Sequence, residues 1–190
     1  MPRPDLEAEI DALYRLPPEA FTRARDELAR RAGELGAAVR RLARPTLAAW
    51  AVNQVYWTER STYEALARAA DRLREASRLA LSGGRADLEA AASRHRAALD
   101  AAVAAAVRAV ARLGRRVTPE VRDAIARTLA ALPTADVRPG RLSAPLEPPG
   151  FEALAGIAAE ASPRSIARRE RARAGRPVRR APSAQVARRS

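Results

Sequence analysis

The chain of 190 residues has no cysteine, which excludes disulfides, thiolate nucleophiles and thiolate metal sites. It has no lysine either. All 35 basic residues are arginine, so Schiff-base and lysine general-base chemistry are absent. The single histidine is His95, and a Ser–His–Asp triad or an imidazole-based metal site would have to rest on that one residue. Aromatic residues are scarce, with two Trp, three Tyr and two Phe. No long hydrophobic run exists. Ala101–Val107 is the most apolar stretch, far short of the ~20 residues a membrane helix needs. The opening segment Met1–Glu9 carries acids where a secretion signal would have its apolar centre. These absences point to a cytoplasmic, non-enzymatic protein with no membrane span. They leave no catalytic residue, metal ligand or cofactor site to nominate.

What is present is alanine. Hydrophobic residues make up 47% of the chain, but 48 of them are Ala, leaving a thin supply of large apolar side chains. Burial stabilises by roughly 25 cal/mol per Å², so an Ala-rich core gains little per residue and depends on close backbone approach. The enrichment in Ala, Arg and Pro, with no Lys, also matches the coding bias of a high-G+C genome. The choice of arginine over lysine therefore says little by itself about guanidinium geometry.

The charge is unevenly placed. Of the formal net charge of +13, most comes from residues 163–190, where ten Arg face a single acid, Glu170. Residues 1–162 hold 25 Arg against 21 acids. A nearly balanced body with a cationic tail reads as a folded unit carrying an arm that seeks a polyanion.

Periodicity predicts an all-α fold. Leu6, Ile10, Leu13 and Tyr14 share one helical face. Pro17-Pro18 ends that helix and starts a second, running from Glu19 to Ala32 with Phe21, Ala24 and Leu28 inward. A short helix is expected over Ala37–Ala43, stopped by Arg44-Pro45. Leu47–Thr58 follows, with Trp50, Asn53, Gln54 and Trp57 three or four apart on one face. Ser61-Thr62-Tyr63-Glu64 reads as a capping box opening a helix to Leu81, in which Leu66, Ala69, Leu73, Ala76 and Ala80 repeat. After the turn Ser82-Gly83-Gly84 comes the longest helix, Ala86–Leu113. Its seam is Leu88, Ala92, His95, Leu99, Ala102, Ala106, Ala109 and Leu113, and Gly114 follows as a C′ residue. Thr118-Pro119 caps a last helix to Leu132. The expected architecture is a bundle of about six helices over residues 5–132, built round a long antiparallel helical hairpin. A Pro-rich connection with one short helix, Phe151–Ala161, fills residues 133–161. Residues 162–190 form a basic tail with no apolar stripe, expected to be disordered in isolation.

Three tracts carry a resemblance: LPPEAFTRARDELAR (Leu16–Arg30), LARPTLAAWAVNQV (Leu42–Val55) and GRLSAPLEPPGF (Gly140–Phe151). Together they resemble an uncharacterised family of helical proteins from high-G+C bacteria, over Leu13 to Phe151. The resemblance implies a helical fold and brings no activity or site residue with it. Members continue into a long charged helical tail, whereas this chain ends in a short arginine-rich one.

Four features are candidates for function. The face of Trp50, Asn53 and Trp57 offers a partner-binding surface, two indoles flanking an amide on which a base or a helical protein partner stacks. The alternative is a core helix whose indoles fill volume that Ala leaves empty and whose Asn53 bonds internally. His95 lies on the seam, where packing is the simpler role. The carboxylate pairs Glu7/Asp11 and Asp71/Glu75 sit among arginines, Arg68, Arg72, Arg74 and Arg78 around the second pair, and read as solvated ion pairs. In the tail, Arg168, Arg169, Arg171, Arg173, Arg176, Arg179 and Arg180 are the candidate contacts to DNA or RNA. Arg173–Arg180 resembles a degenerate AT-hook around Gly175-Arg176-Pro177, with Ala174 where an arginine usually stands. Such a hook would place Arg in the minor groove. A generic cationic tail contacting phosphates, or a solvated tail with no partner, fits the same residues. The function expected from sequence is nucleic-acid binding by the tail. A protein-interaction or homo-oligomeric helical module is the alternative.

Overall fold

Side-chain N-caps open three of the helices among the described residues. The computed structural model describes residues 3–132 and 137–147, with side chains from Leu6 onward. Among these residues it contains seven α-helices and no strand. They are α1 (Arg3–Arg15), α2 (Pro18–Arg31), α3 (Gly36–Arg40), α4 (Leu47–Thr58), α5 (Arg60–Leu81), α6 (Leu88–Arg112) and α7 (Pro119–Ala131), with a single 3₁₀ turn, Gly33–Leu35, between α2 and α3. Pro18 occupies the first turn of α2, where its missing N–H costs nothing. Thr46 and Thr118 accept hydrogen bonds from the N–H groups of Ala49 and Val121, at 3.2 and 3.4 Å, and so open α4 and α7.

Three boundaries differ from the sequence reading. The tract Ser61–Glu64 is not a capping box. Only Glu59 separates α4 from α5, so no extended Ser N-cap fits, and α5 starts at Arg60 with no side-chain cap. Glu64 instead accepts from Arg60 Nε at 2.9 Å. Helix α6 begins at Leu88 rather than Ala86, because Asp87 accepts from Ala90 N at 2.9 Å and so takes the N-cap. Helix α3 ends at Arg40, ahead of the expected Ala43.

Two apolar clusters hold the helices. The first joins α1, α2 and α3 through Leu6, Ile10, Leu13, Tyr14, Phe21, Leu28, Ala29 and Val39. Its aromatic pair, Tyr14 and Phe21, meets edge to face with ring centroids 5.1 Å apart, a geometry worth about 0.5–1.5 kcal/mol beyond burial. The second cluster is centred on α4. Every residue from Ala48 to Val55 is buried, as expected of a helix that is apolar nearly all round. Helix α4 touches α1, α5, α6 and α7. Leu66 of α5, Ala102, Val103, Ala106 and Val110 of α6, and Ile125 and Leu129 of α7 complete this core.

Helices α5 and α6 pack on each other, but the expected seam is realised only in part. Ala102, Ala106 and Ala109 are buried, whereas Leu88 is 41% exposed and His95 only half-buried. The α4-centred core engages α6 from Ala98 onward, and the turn end of the pair lies beyond it. Leu79 and Leu81 are exposed there as well.

All described residues belong to one compact unit, Met1–Pro149. No helix among them is long and apolar enough to cross a membrane. The expected helix Phe151–Ala161 and the tail 162–190 lie outside the described residues.

Candidate functional site

The residues singled out on α4 mostly face inward. Trp50 is 4% exposed and Asn53 is fully buried. The indole N–H of Trp50 is buried without a hydrogen-bond partner among the described residues. Asn53 uses both ends of its amide on one backbone position. Its Nδ2 donates to the Leu142 carbonyl and its Oδ1 accepts from the Leu142 N–H, both at 2.9 Å. A side-chain amide thus does for Leu142 what a neighbouring strand does in a sheet, satisfying donor and acceptor together. Gln54 reaches toward the last carbonyls of α1, those of Tyr14 and Arg15, at 3.5 and 3.4 Å, groups that a helix end leaves unpaired.

Residues 137–147 form a strap across these helices. Pro139 and Gly140 turn the chain. The Trp57 indole donates to the Gly140 carbonyl at 3.0 Å. The Ser143 carbonyl accepts from Thr46 N at 2.9 Å. Leu142 enters the α4 core, with Leu146 packed against it. The Thr128 hydroxyl of α7 donates to the Ala124 carbonyl and accepts from Leu146 N. Electrostatics fasten the same segment to α1: Arg138 bridges Glu7 at 2.6 Å, and Arg141 bridges Glu7 at 2.8 Å and also pairs with Asp11. Arg141 has a side chain only 12% exposed. The hydrogen bond from Arg138 is the main reason the Glu7 carboxyl is held below its ordinary value, with Arg141 adding to it and partial burial opposing. The carboxylates Glu7 and Asp11 are therefore part of the strap's anchorage.

The outward rim of α4 is aromatic. Tyr56 makes edge-to-face contacts with Trp57 and Tyr63, at 4.8 and 5.1 Å between centroids. Two guanidinium groups cover these rings, Arg15 over Trp57 at 4.1 Å and Arg60 over Tyr56 at 4.4 Å. Burial raises the Tyr63 hydroxyl above its ordinary value. A base or partner stacking on the face of Trp57 that Arg15 covers has to displace Arg15 first. Of Trp50, Asn53 and Trp57, only Trp57 reaches the surface, and its indole N–H is already engaged.

Around Asp71 and Glu75 the arginines divide. Arg74 pairs with Asp71, and Arg78 pairs with Glu75 at 2.8 Å. Arg68 and Arg72 instead line the side of α5 that faces α6. No group of three or more His, Asp or Glu side chains suited to a metal ion occurs among the described residues. The tail arginines Arg168, Arg169, Arg171, Arg173, Arg176, Arg179 and Arg180 lie outside the described residues.

The sequence carried no local signal for the strap's anchors, because Asn53 and Leu142 are 89 positions apart. The usable hints were an amide inside an otherwise apolar helix and the spacing of Leu142 and Leu146 in a Pro-rich stretch. Comparison with known proteins finds no matching family model, curated protein or solved structure.

Proposed function

We propose that this protein is a non-enzymatic accessory factor that holds nucleic acid through its arginine-rich C-terminal arm, by phosphate contacts and largely without sequence preference. The body is then a cytoplasmic helical bundle, with α5 and α6 as an antiparallel hairpin projecting from it.

One observation carries the reading: among the described residues, most carboxylates pair with the body's own arginines. Glu7 and Asp11 hold Arg138 and Arg141, Glu9 holds Arg31, Glu19 holds Arg115, Glu64 holds Arg60, and Glu147 holds Arg127. Residues 163–190 bring ten arginines and one acid. Their natural counterion is an external polyanion, and a polynucleotide binds such a segment by releasing condensed cations.

The test is the salt dependence of duplex DNA and RNA binding. Each phosphate neutralised contributes about −0.9 to the slope of log K against log salt on duplex DNA. Removing residues 163–190 is expected to flatten most of that slope. Binding that is independent of salt, or indifferent to the removal, sinks the reading.

A second reading is self-association or docking of a helical protein partner. It is favoured by Leu79, Leu81 and Leu88, which are 42, 89 and 41% exposed around the turn between α5 and α6. A contiguous exposed apolar patch marks an interaction site. Sedimentation of the intact chain and of Leu81→Glu separates this from the first reading: a dimer that Leu81→Glu dissociates supports it.

A further inference from the structure

Between α5 and α6 lies a concavity of about 150 Å³, lined by Ala65, Arg68, Ala69, Arg72, Ala91 and Arg94. That is well above the ~10–15 Å³ that one water needs in a cavity, room for a phosphate-sized group. Among the described residues, three arginines and three alanines line it, and none of these is a carboxylate. The local sequence explains the arrangement. Ala65 and Ala69 are one turn apart on α5, and Arg68 and Arg72 repeat the same spacing beside them. Across the gap, Ala91 is buried on α6, with Arg94 three positions on. The small side chains let the two helices approach and leave the floor open, so the long arginines stand round its rim.

The charges there are unbalanced. Arg68 has only Glu64, at 3.6 Å, and Glu64 is already bonded to Arg60 at 2.9 Å. Arg72 and Arg94 have no ion-pair or hydrogen-bond partner among the described residues. The nearby acids Asp71 and Glu75 are turned to Arg74 and Arg78. Guanidinium groups gathered without an anion repel one another, and an oxyanion placed among them relieves that repulsion. Their planar forks match phosphate oxygens two at a time.

We propose that Arg68, Arg72 and Arg94 form a phosphate-binding cleft on the helical body, which takes a backbone phosphate of the polynucleotide held by the arm. This rests on the nucleic-acid reading of the tail and adds a second, ordered contact to it. The arm supplies attraction over a distance. The cleft supplies a fixed point, so the strand lies across α5 and α6 rather than only against the tail.

The test uses the full chain in three forms: native, Arg72→Gln with Arg94→Gln, and a chain in which Arg168, Arg169, Arg171, Arg173, Arg176, Arg179 and Arg180 are all glutamine. Binding to a short duplex DNA is followed across a salt series. The cleft double variant is expected to lose about 0.9 from the slope, for the one phosphate that the cleft neutralises, and Arg72→Lys with Arg94→Lys is expected to restore it. In the native chain, inorganic phosphate is expected to shift the side-chain Nε–H resonances of Arg72 and Arg94, where equal chloride does not. An unchanged slope in the double variant, or phosphate shifts absent from both arginines, overturns the cleft whatever the tail variant does. A slope lost in the cleft variant but kept in the tail variant overturns the tail reading and leaves the cleft standing. Loss of binding to anionic lipid vesicles with DNA binding untouched also overturns the inference. Arg72 and Arg94 are exposed, so both double variants are expected to keep the native helical signal. The phosphate titration of the native chain decides the matter without either.

Discussion

The side-chain amide of Asn53 is bonded twice to the backbone of Leu142, once as donor and once as acceptor, at 2.9 Å in each case. Both partners are buried, and the pair joins the central helix α4 to a strap that arrives 89 residues later. Around this link Trp57 holds Gly140, Thr128 holds Leu146, and Arg138 and Arg141 hold the acids of α1. The two apolar clusters of the body are thereby tied together by polar contacts between distant segments.

Replacing Asn53 with Leu is expected to destabilise the protein by about 2–6 kcal/mol, because it strands a buried N–H and a buried C=O at about 1–3 kcal/mol each. Against a total stability of about 5–15 kcal/mol, that is a large fraction. Denaturant unfolding followed by far-ultraviolet circular dichroism measures it. A loss under about 1 kcal/mol would show that the strap backbone finds other partners.

Gly140→Ala and Gly114→Ala separate backbone strain from crowding. Both glycines have positive φ, +82° and +69°. At Gly140 an added Cβ would lie 2.6 Å from Tyr56 Cδ1 and 2.8 Å from the Trp57 ring, whereas at Gly114 nothing lies within 4 Å. Gly114→Ala is expected to cost about 1–2 kcal/mol for the left-handed backbone alone. Gly140→Ala adds an overpacking cost of about 1–3 kcal/mol and disturbs the Trp57 hydrogen bond, so its tryptophan emission also shifts. Equal losses at the two positions contradict the close approach of strap and α4.

Acid is expected to loosen the strap. The Glu7 carboxyl is held below its ordinary value of 4.5, first by the Arg138 hydrogen bond. A carboxyl lowered in the folded state contributes stability that is fully present above its unfolded value. That contribution is lost as pH falls from about 4.5 through the lowered folded value. Since Glu7 is about half exposed, the step is small. Tryptophan emission followed from neutral to acidic pH is expected to show it in the native chain, and Glu7→Gln is expected to blunt it. An identical acid profile in Glu7→Gln places the sensitivity elsewhere.

Phe21→Ala and Leu129→Ala probe the two clusters. Both side chains are completely buried, and truncation is expected to cost about 3–5 and 2–5 kcal/mol respectively. Since α1 and the strap join the clusters, each change is expected to move one shared unfolding transition. Two resolved transitions in calorimetry would mean that the clusters unfold independently.

The local signals in the sequence were good guides to local structure. The span of α4 and the caps at Thr46 and Thr118 follow from Thr-Leu and Thr-Pro junctions that act within one turn. Where a neighbouring element competes, they mislead. The Ser61–Glu64 tract has capping-box spacing, but Glu59 alone joins α4 to α5 and the helix runs straight through Ser61. The seam from Leu88 to His95 has the right period and too little packed over it, which periodicity does not encode. The strap is the largest omission. Its ladder is a side chain on a helix rather than a strand, so neither alternation nor propensity marks it. The arginine cleft is legible only with both helices in place, since Arg94 joins Arg68 and Arg72 from the opposite side of a turn.

The distance along the chain between Asn53 and Leu142 has a consequence during synthesis. At about 5–20 residues per second, helix α4 leaves the ribosome roughly 4–18 s before the residue that completes its centre. Until then a polar amide must sit in an apolar environment without its mate or stay wet. The Asn53–Leu142 pair can form only once residues 137–147 have been made, so the polar link at the centre of α4 is completed after every helix from α1 to α7 has been synthesised.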